Sequence, residues 1–156
     1  MSIVDISRKK DVLRTAKASG RIMLHPGTLN RIKNGEVAKG DALEIARAAS
    51  LLSVKNVPHT IPHCHPIPIT SVAVDFIFGG GEGDEDSGSE RGYIEVAVTV
   101  SAFSKTGVEI EALSGVMCAL LTLFDVVKTY EKEDSMYPTM RIYDIKVVKK
   151  EKINMN

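Results

Sequence analysis

Two alternating segments constrain the fold of this chain more than anything else in it. ITSVAVDFIF at 69–78 and YIEVAVTVSAF at 93–103 place apolar residues at every second position, the period of a strand with one buried face. Between them, GGGEGDEDSGSERG at 79–92 has no apolar residue. The pair therefore predicts a β-hairpin joined by a flexible, poorly ordered acidic loop. As an interaction patch this loop would offer only charge; as a solvated connector it needs nothing more.

A third alternating run begins at Arg14. Arg14, Ala16, Ala18, Gly20, Ile22 and Leu24 share one side, and Thr15, Lys17, Ser19, Arg21 and Met23 the other. His25-Pro26-Gly27-Thr28 ends this strand, and a short helix runs on to about Asn34, with Gly35 as its stop. A second helix opens after Lys39-Gly40-Asp41, with Asp41 as N-cap. It carries Leu43, Ala46, Ala49 or Ser50, and Val54 at helical spacing, and Pro58 limits it. The prolines of HTIPHCHPIP at 59–68 impose an extended, irregular path. The most apolar helix spans Gly107 to about Tyr130, with Leu113, Met117, Leu120, Leu121, Phe124 and Val127 over a broad face. A last strand runs from Met140 to Val148. Strand, two helices, strand, strand, helix, strand is the split βαβ order of a ferredoxin-like α+β fold: one antiparallel sheet with helices packed on one face. The length of 156 residues suits a single domain over 1–156.

Charge narrows the partners. Lys plus Arg number 20 and Asp plus Glu number 20, so no general coating of nucleic acid is expected, and an anionic ligand must be held by a local group of cations. Cys64 and Cys118 make no disulfide framework. MSIVDISRKKDV lacks the apolar stretch of a secretory leader. The stretch Val116 to Val127 is broken by Thr122 and Asp125 and is too short and polar to span a bilayer. These features predict a cytoplasmic setting with no membrane partner.

Four groups of residues can carry chemistry. His59, His63, Cys64 and His65 offer imidazole and thiolate, which suit zinc. In an extended segment, however, His63 and His65 point one way and Cys64 the other, and the spacing matches no usual ligand pattern. The same run reads as a Pro-stiffened loop, or as a place where His65 meets a polar or anionic ligand. Glu109 and Glu111 stand at a strand-to-helix junction, where the helix dipole favours carboxylates with or without a ligand. Asp125 interrupts an apolar stretch late in its helix, and Lys128 lies one turn on. They form either an ordinary surface pair or an acid/base pair whose ionisations are separated by shared burial. Arg14, Lys17, Lys39, Arg47 and Lys55 are scattered cations; Lys39 sits at a helix start, where free N–H groups suit phosphate. No Walker or Rossmann glycine motif is present. Glu111 and Asp125 are separated by ~21 Å on a straight helix, so one small reactive centre cannot touch both within one chain.

Taken in order, Val4-Asp5-Ile6-Ser7, Lys39-Gly40-Asp41, Ile61-Pro62-His63-Cys64-His65-Pro66, Lys105-Thr106-Gly107-Val108-Glu109-Ile110-Glu111-Ala112-Leu113 and Phe124-Asp125-Val126-Val127-Lys128 carry a resemblance over nearly the whole chain. The sequence resembles the cyclic pyranopterin monophosphate synthases, the molybdenum cofactor biosynthesis protein C family. The resemblance implies a ferredoxin-like fold and a homohexamer, a trimer of dimers with sites between subunits. The implied substrate is 3′,8-cyclo-7,8-dihydroguanosine 5′-triphosphate, converted by a lyase reaction to cyclic pyranopterin monophosphate with loss of pyrophosphate. No redox cofactor is implied, and Mg²⁺ with the triphosphate is left open. Carried onto this chain, Asp125 is the general acid/base and Lys128 its assistant. His63, Cys64, His65, Glu109, Ile110 and Glu111 line the substrate pocket, and Arg14, Lys39 and Lys55 face the triphosphate. The chain departs from the family at His63 for leucine, Ile110 for methionine and Phe124 for tyrosine. Its acidic loop is long, and its tail, Lys149 to Asn156, lacks the usual glycines. A metal-binding module built on His59–His65 and a non-catalytic oligomeric domain are the rival functions.

Overall fold

In a computed structural model, residues 2–80 and 91–154 are described. The elements are β1 (Val12–Leu24), α1 (Pro26–Lys33), α2 (Ala42–Thr60), β2 (Ile69–Gly80), β3 (Gly92–Ser104), α3 (Glu109–Val127) and β4 (Arg141–Ile153), with a 3-10 turn at Lys128–Tyr130 after α3. The strands form one sheet in the order β2-β3-β1-β4, every neighbouring pair antiparallel. This is the ferredoxin-like α+β arrangement read from the alternation. The expected loop at 79–92 falls, in its residues 81–90, outside the described residues.

Register explains which face is buried. Ala16, Ala18, Gly20 and Ile22 pair with Val100, Val98, Val96 and Ile94 of β3, which in turn pair with Val72, Val74, Phe76 and Phe78 of β2. Partners in register share a face. This face meets α2 and α3 in one core that includes Val54, Ala112, Val116, Ala119, Leu120 and Leu123. The opposite face is polar enough to carry an Arg21–Glu95 ion pair at 2.7 Å.

The helices approach the sheet through small residues. The buried residues of α3 include Ala112, Gly115, Val116, Ala119 and Leu120, whereas Met117 and Leu121, expected on the packed face, are 55% and 63% exposed. On α2 the buried residues are Ala42, Ala46, Ser50, Val54 and Val57, so Ser50 rather than Ala49 continues the stripe. A Cβ at Gly20 would stand 2.8 Å from Leu120 and 2.9 Å from both Val116 and Ile145. Gly20→Ala should therefore cost about 1–3 kcal/mol by overpacking, read as a lower urea midpoint. An unchanged midpoint would mean that α3 does not press this closely on β1.

Three boundaries differ from expectation. Pro58 lies inside α2 rather than before its end. In the last turn its missing N–H costs one bond only, and the Ile61 N–H still reaches the Val57 carbonyl at 2.8 Å. The last helix begins at Glu109, two residues after Gly107. β4 continues past Val148 to Ile153, pairing Lys149, Lys150 and Lys152 with Lys17, Ala16 and Arg14. Its side chains are largely exposed, and lysines on an edge strand discourage further pairing. Apolar alternation cannot reveal such a strand. The helical run Glu109–Tyr130 is 22 residues and apolar enough to cross a bilayer, against the length argument made from the narrower stretch 116–127. Here its inner side packs on the sheet.

Candidate active site

The predicted site residues gather mainly at the two ends of α3. At its C-terminal end, Asp125 accepts from two ammonium groups. Lys128, one turn on, approaches Oδ1 at 2.7 Å, and Lys39 approaches Oδ2 at 2.9 Å. Lys39 also donates to the Asp125 backbone carbonyl at 2.8 Å, supplying a partner to one of the carbonyls that a helix end leaves open. The lysine comes from the turn between α1 and α2. Asp41, the N-cap of α2, accepts from the N–H groups of Leu43 and Glu44 at 3.0 and 3.1 Å, and Gly35 at φ +69° lets the chain leave α1.

The electrostatics of this trio come from pairing, not burial. Lys128 first, then Lys39, hold the Asp125 carboxyl at about 2, and Asp125 in return raises Lys128. The Asp125, Lys39 and Lys128 side chains are 57%, 46% and 41% exposed. The shared burial that the acid/base reading expected is therefore absent in the single chain: a carboxylate so near the C-terminal end of α3 takes its stability from two cations. Lys39, expected to face a phosphate, is engaged by Asp125 in the single chain.

The N-terminal end of α3 is built differently. Glu111 is buried at 3% exposure, and its Oε2 has no hydrogen-bond partner. Burial pushes its carboxyl up and the charge of Glu109 adds to this, while its own backbone N–H opposes them. The Cys64 thiol is also pushed up, by burial first and by the charge of Glu111 second. Such a thiol favours a wall over a nucleophile. The His65 imidazole Nε2 lies 2.8 Å from the Val4 carbonyl, and Lys105 donates to the Ser7 carbonyl at 3.0 Å. The N-terminal segment is thereby tied to this end of α3. His63 is exposed, and Ile110 is 42% exposed. Among the described residues, no three His, Cys, Asp or Glu side chains converge in a way that could hold a metal ion.

Arg14 donates to the Lys105 carbonyl at 3.3 Å, and its buried Nε has no partner. It lines a hollow of about 260 Å³ with Gly107, Glu109, Lys150 and Lys152, among others. A Cβ at Gly107 would land on the Glu109 carboxylate, so this glycine is what lets that carboxylate fold back. Lys150 reaches Glu109 at 3.3 Å. Lys150 and Lys152, which share this hollow with Arg14, are not among the residues the sequence singles out, because apolar alternation ends the last strand at Val148; the lysine-rich tail is the available signal. Lys55 lines a separate hollow of about 360 Å³ with Leu51, Ile67 and Thr70. Within one chain, then, Arg14, Lys39 and Lys55 stand in three places.

The sequence pattern of the MoaC family matches residues 3–152. A probable cyclic pyranopterin monophosphate synthase of Methanoregula boonei is 50% identical over 96% of this chain and 90% of its own length. Proteins of the same description from Pyrococcus abyssi and Thermococcus kodakarensis are both 46% identical, over 96% and 97% of this chain and 88% and 91% of their own. Both charged ends of α3, the Lys39 turn and the His63–His65 segment lie within the matched span, and the chain belongs to the MoaC family.

Proposed function

We propose that this protein is a cyclic pyranopterin monophosphate synthase of molybdenum cofactor biosynthesis. It converts 3′,8-cyclo-7,8-dihydroguanosine 5′-triphosphate to cyclic pyranopterin monophosphate and pyrophosphate. The observation that carries this reading is the Lys39–Asp125–Lys128 trio, in a chain whose relatives bear that name.

The reaction needs protons moved while rings open and close, and negative charge neutralised as pyrophosphate leaves. Asp125 between two ammonium groups is a poor base as it stands, since a useful one ionises near the working pH. A substrate phosphate that draws Lys39 away frees Oδ2 and makes Asp125 more basic, while Lys128 remains as the nearby acid. Glu111 and Cys64 form the wall that receives the base, and His65, Arg14 and Lys55 meet its polar and anionic groups. The reading calls for no redox cofactor and is compatible with Mg²⁺ on the triphosphate. It places the enzyme in the cytoplasm.

Assembly completes the site. The two ends of α3 are ~21 Å apart in one chain, and Ile110, Met117 and Leu121 leave an exposed apolar stripe between them, with Leu52 of α2 also exposed. A second copy packed there hides the stripe and can bring its own Glu111 end towards Asp125. We read this as the pair within a homohexamer, a trimer of dimers. The decisive assay is turnover of the enzymatically generated cyclic nucleotide. A second measurement tests the sharing. Asp125→Asn and Glu111→Gln proteins, each inactive alone, should on random re-assembly recover about a quarter of wild-type activity, because half of the dimers are mixed and each mixed dimer holds one intact site. No recovery in demonstrably mixed oligomers would place each site within one chain.

A further inference from the structure

The residues just after Lys128 hold the Lys39 turn against it. Tyr130 closes the 3-10 turn that Lys128 begins. Its hydroxyl accepts the backbone N–H of Ala38, the residue before Lys39, at 2.8 Å. The Arg31 guanidinium lies over the Tyr130 ring, 5.1 Å from its centroid, which fixes the ring from the side of α1. The Lys39 turn is closed on itself by a bond from the Gly40 N–H to the Val37 carbonyl, at 3.0 Å. Gly40 takes φ +109° there, a conformation that favours glycine. The next residue after Tyr130 repeats the device. Glu131 is buried at 4% exposure, and its Oε1 accepts the His25 N–H at 2.9 Å. His25 is the N-cap of α1 and makes no side-chain cap of its own. The start of α1 and the turn beyond its end are thus fastened to two consecutive residues that follow the catalytic lysine of the proposed reaction.

We propose that Tyr130 is a positioning residue: by accepting the Ala38 N–H, its hydroxyl sets the turn so that the Lys39 ammonium reaches Asp125. The proposal takes the importance of the trio from the function proposed above. Ala38 is exposed, so water replaces the Tyr130 hydroxyl at little cost to folding. What water cannot replace is the fixed distance between the turn and the end of α3. Lys39 has a flexible four-carbon stem. Its double contact with the carboxylate and the carbonyl of Asp125 therefore depends on where the turn is held.

The test reads Lys39 directly. Acylation of the assembled protein by an N-hydroxysuccinimide ester at neutral pH, followed by peptide mass spectrometry, gives a rate for each lysine. In Tyr130→Phe, Lys39 should react about fivefold faster, the factor that one net hydrogen bond commands. Lys17 and Lys55 should keep their rates. In an Asp125→Asn background, where the charged partner is gone and the residue-125 carbonyl remains, Tyr130→Phe should raise the Lys39 rate by less than it does in wild type. An unchanged Lys39 rate in Tyr130→Phe overturns the proposal. So does a general rise across all lysines, which marks mere loosening, or an undiminished rise in the Asp125→Asn background, which marks simple shielding. No turnover enters this measurement, so the clamp can fail while the enzymatic reading stands, and the reverse.

Discussion

Asp125→Asn is expected to lower turnover by about two decades or more, the range for losing a general acid/base group, with the fold intact. Asn keeps the shape of the side chain and removes the charge that holds Lys39 and Lys128. All three side chains are well exposed, so the released ammonium groups are solvated and the loss of stability is small. The pH dependence has a definite sign. The folded carboxyl ionises at about 2 against an ordinary 3.8. The pairing therefore stabilises the fold in full above 3.8 and is lost as pH falls through about 2. Wild-type protein should show this acid-side loss in unfolding experiments at low salt, and Asp125→Asn should not. Near-normal turnover of the variant, in an intact assembly, would remove Asp125 from the chemistry.

Glu111→Gln should separate stability from activity. The Glu111 carboxyl is buried with Oε2 unpartnered, and burial raises its ionisation above the ordinary 4.5. Between 4.5 and that raised value the folded chain binds more protons than the unfolded chain, so stability falls as pH rises through this window and then stays lower. Gln carries no charge to desolvate. The variant should be more stable than wild type at neutral pH by an amount on the order of 1 kcal/mol, and its unfolding midpoint should be flatter with pH across the window. Turnover should fall sharply, because the group that lines the far end of the shared site is neutralised. A variant less stable than wild type at neutral pH would mean that the carboxylate is better satisfied than its burial indicates.

These two expectations differ because the ends of α3 differ, and only one of those differences was legible in the sequence. Glu109 and Glu111 at a helix start, and Asp125 with Lys128 at a helix end, follow from spacing. That Asp125 would be exposed and Glu111 buried does not: both sit in apolar company along the chain. Exposure depends on which side of α3 presses on Gly20 and the β1–β3 valines. The same reason misplaced Met117 and Leu121, whose hydrophobicity suggested the core, while Gly115 and Ala119 went in. Close approach of a helix to a sheet selects small side chains, and a pattern of large apolar residues does not report it.

The run of strands and helices, the Asp41 cap and the Gly35 stop are legible along the chain, because each rests on residues within a few turns of one another. Packing alone brings Lys39 to Asp125 across 86 residues, Tyr130 to Ala38 across 92, and the tail lysines of β4 beside Arg14. Periodicity and caps are local free energies, readable in a short window. Meetings between distant side chains are fixed by how the helices and strands pack, and no local term encodes that distance.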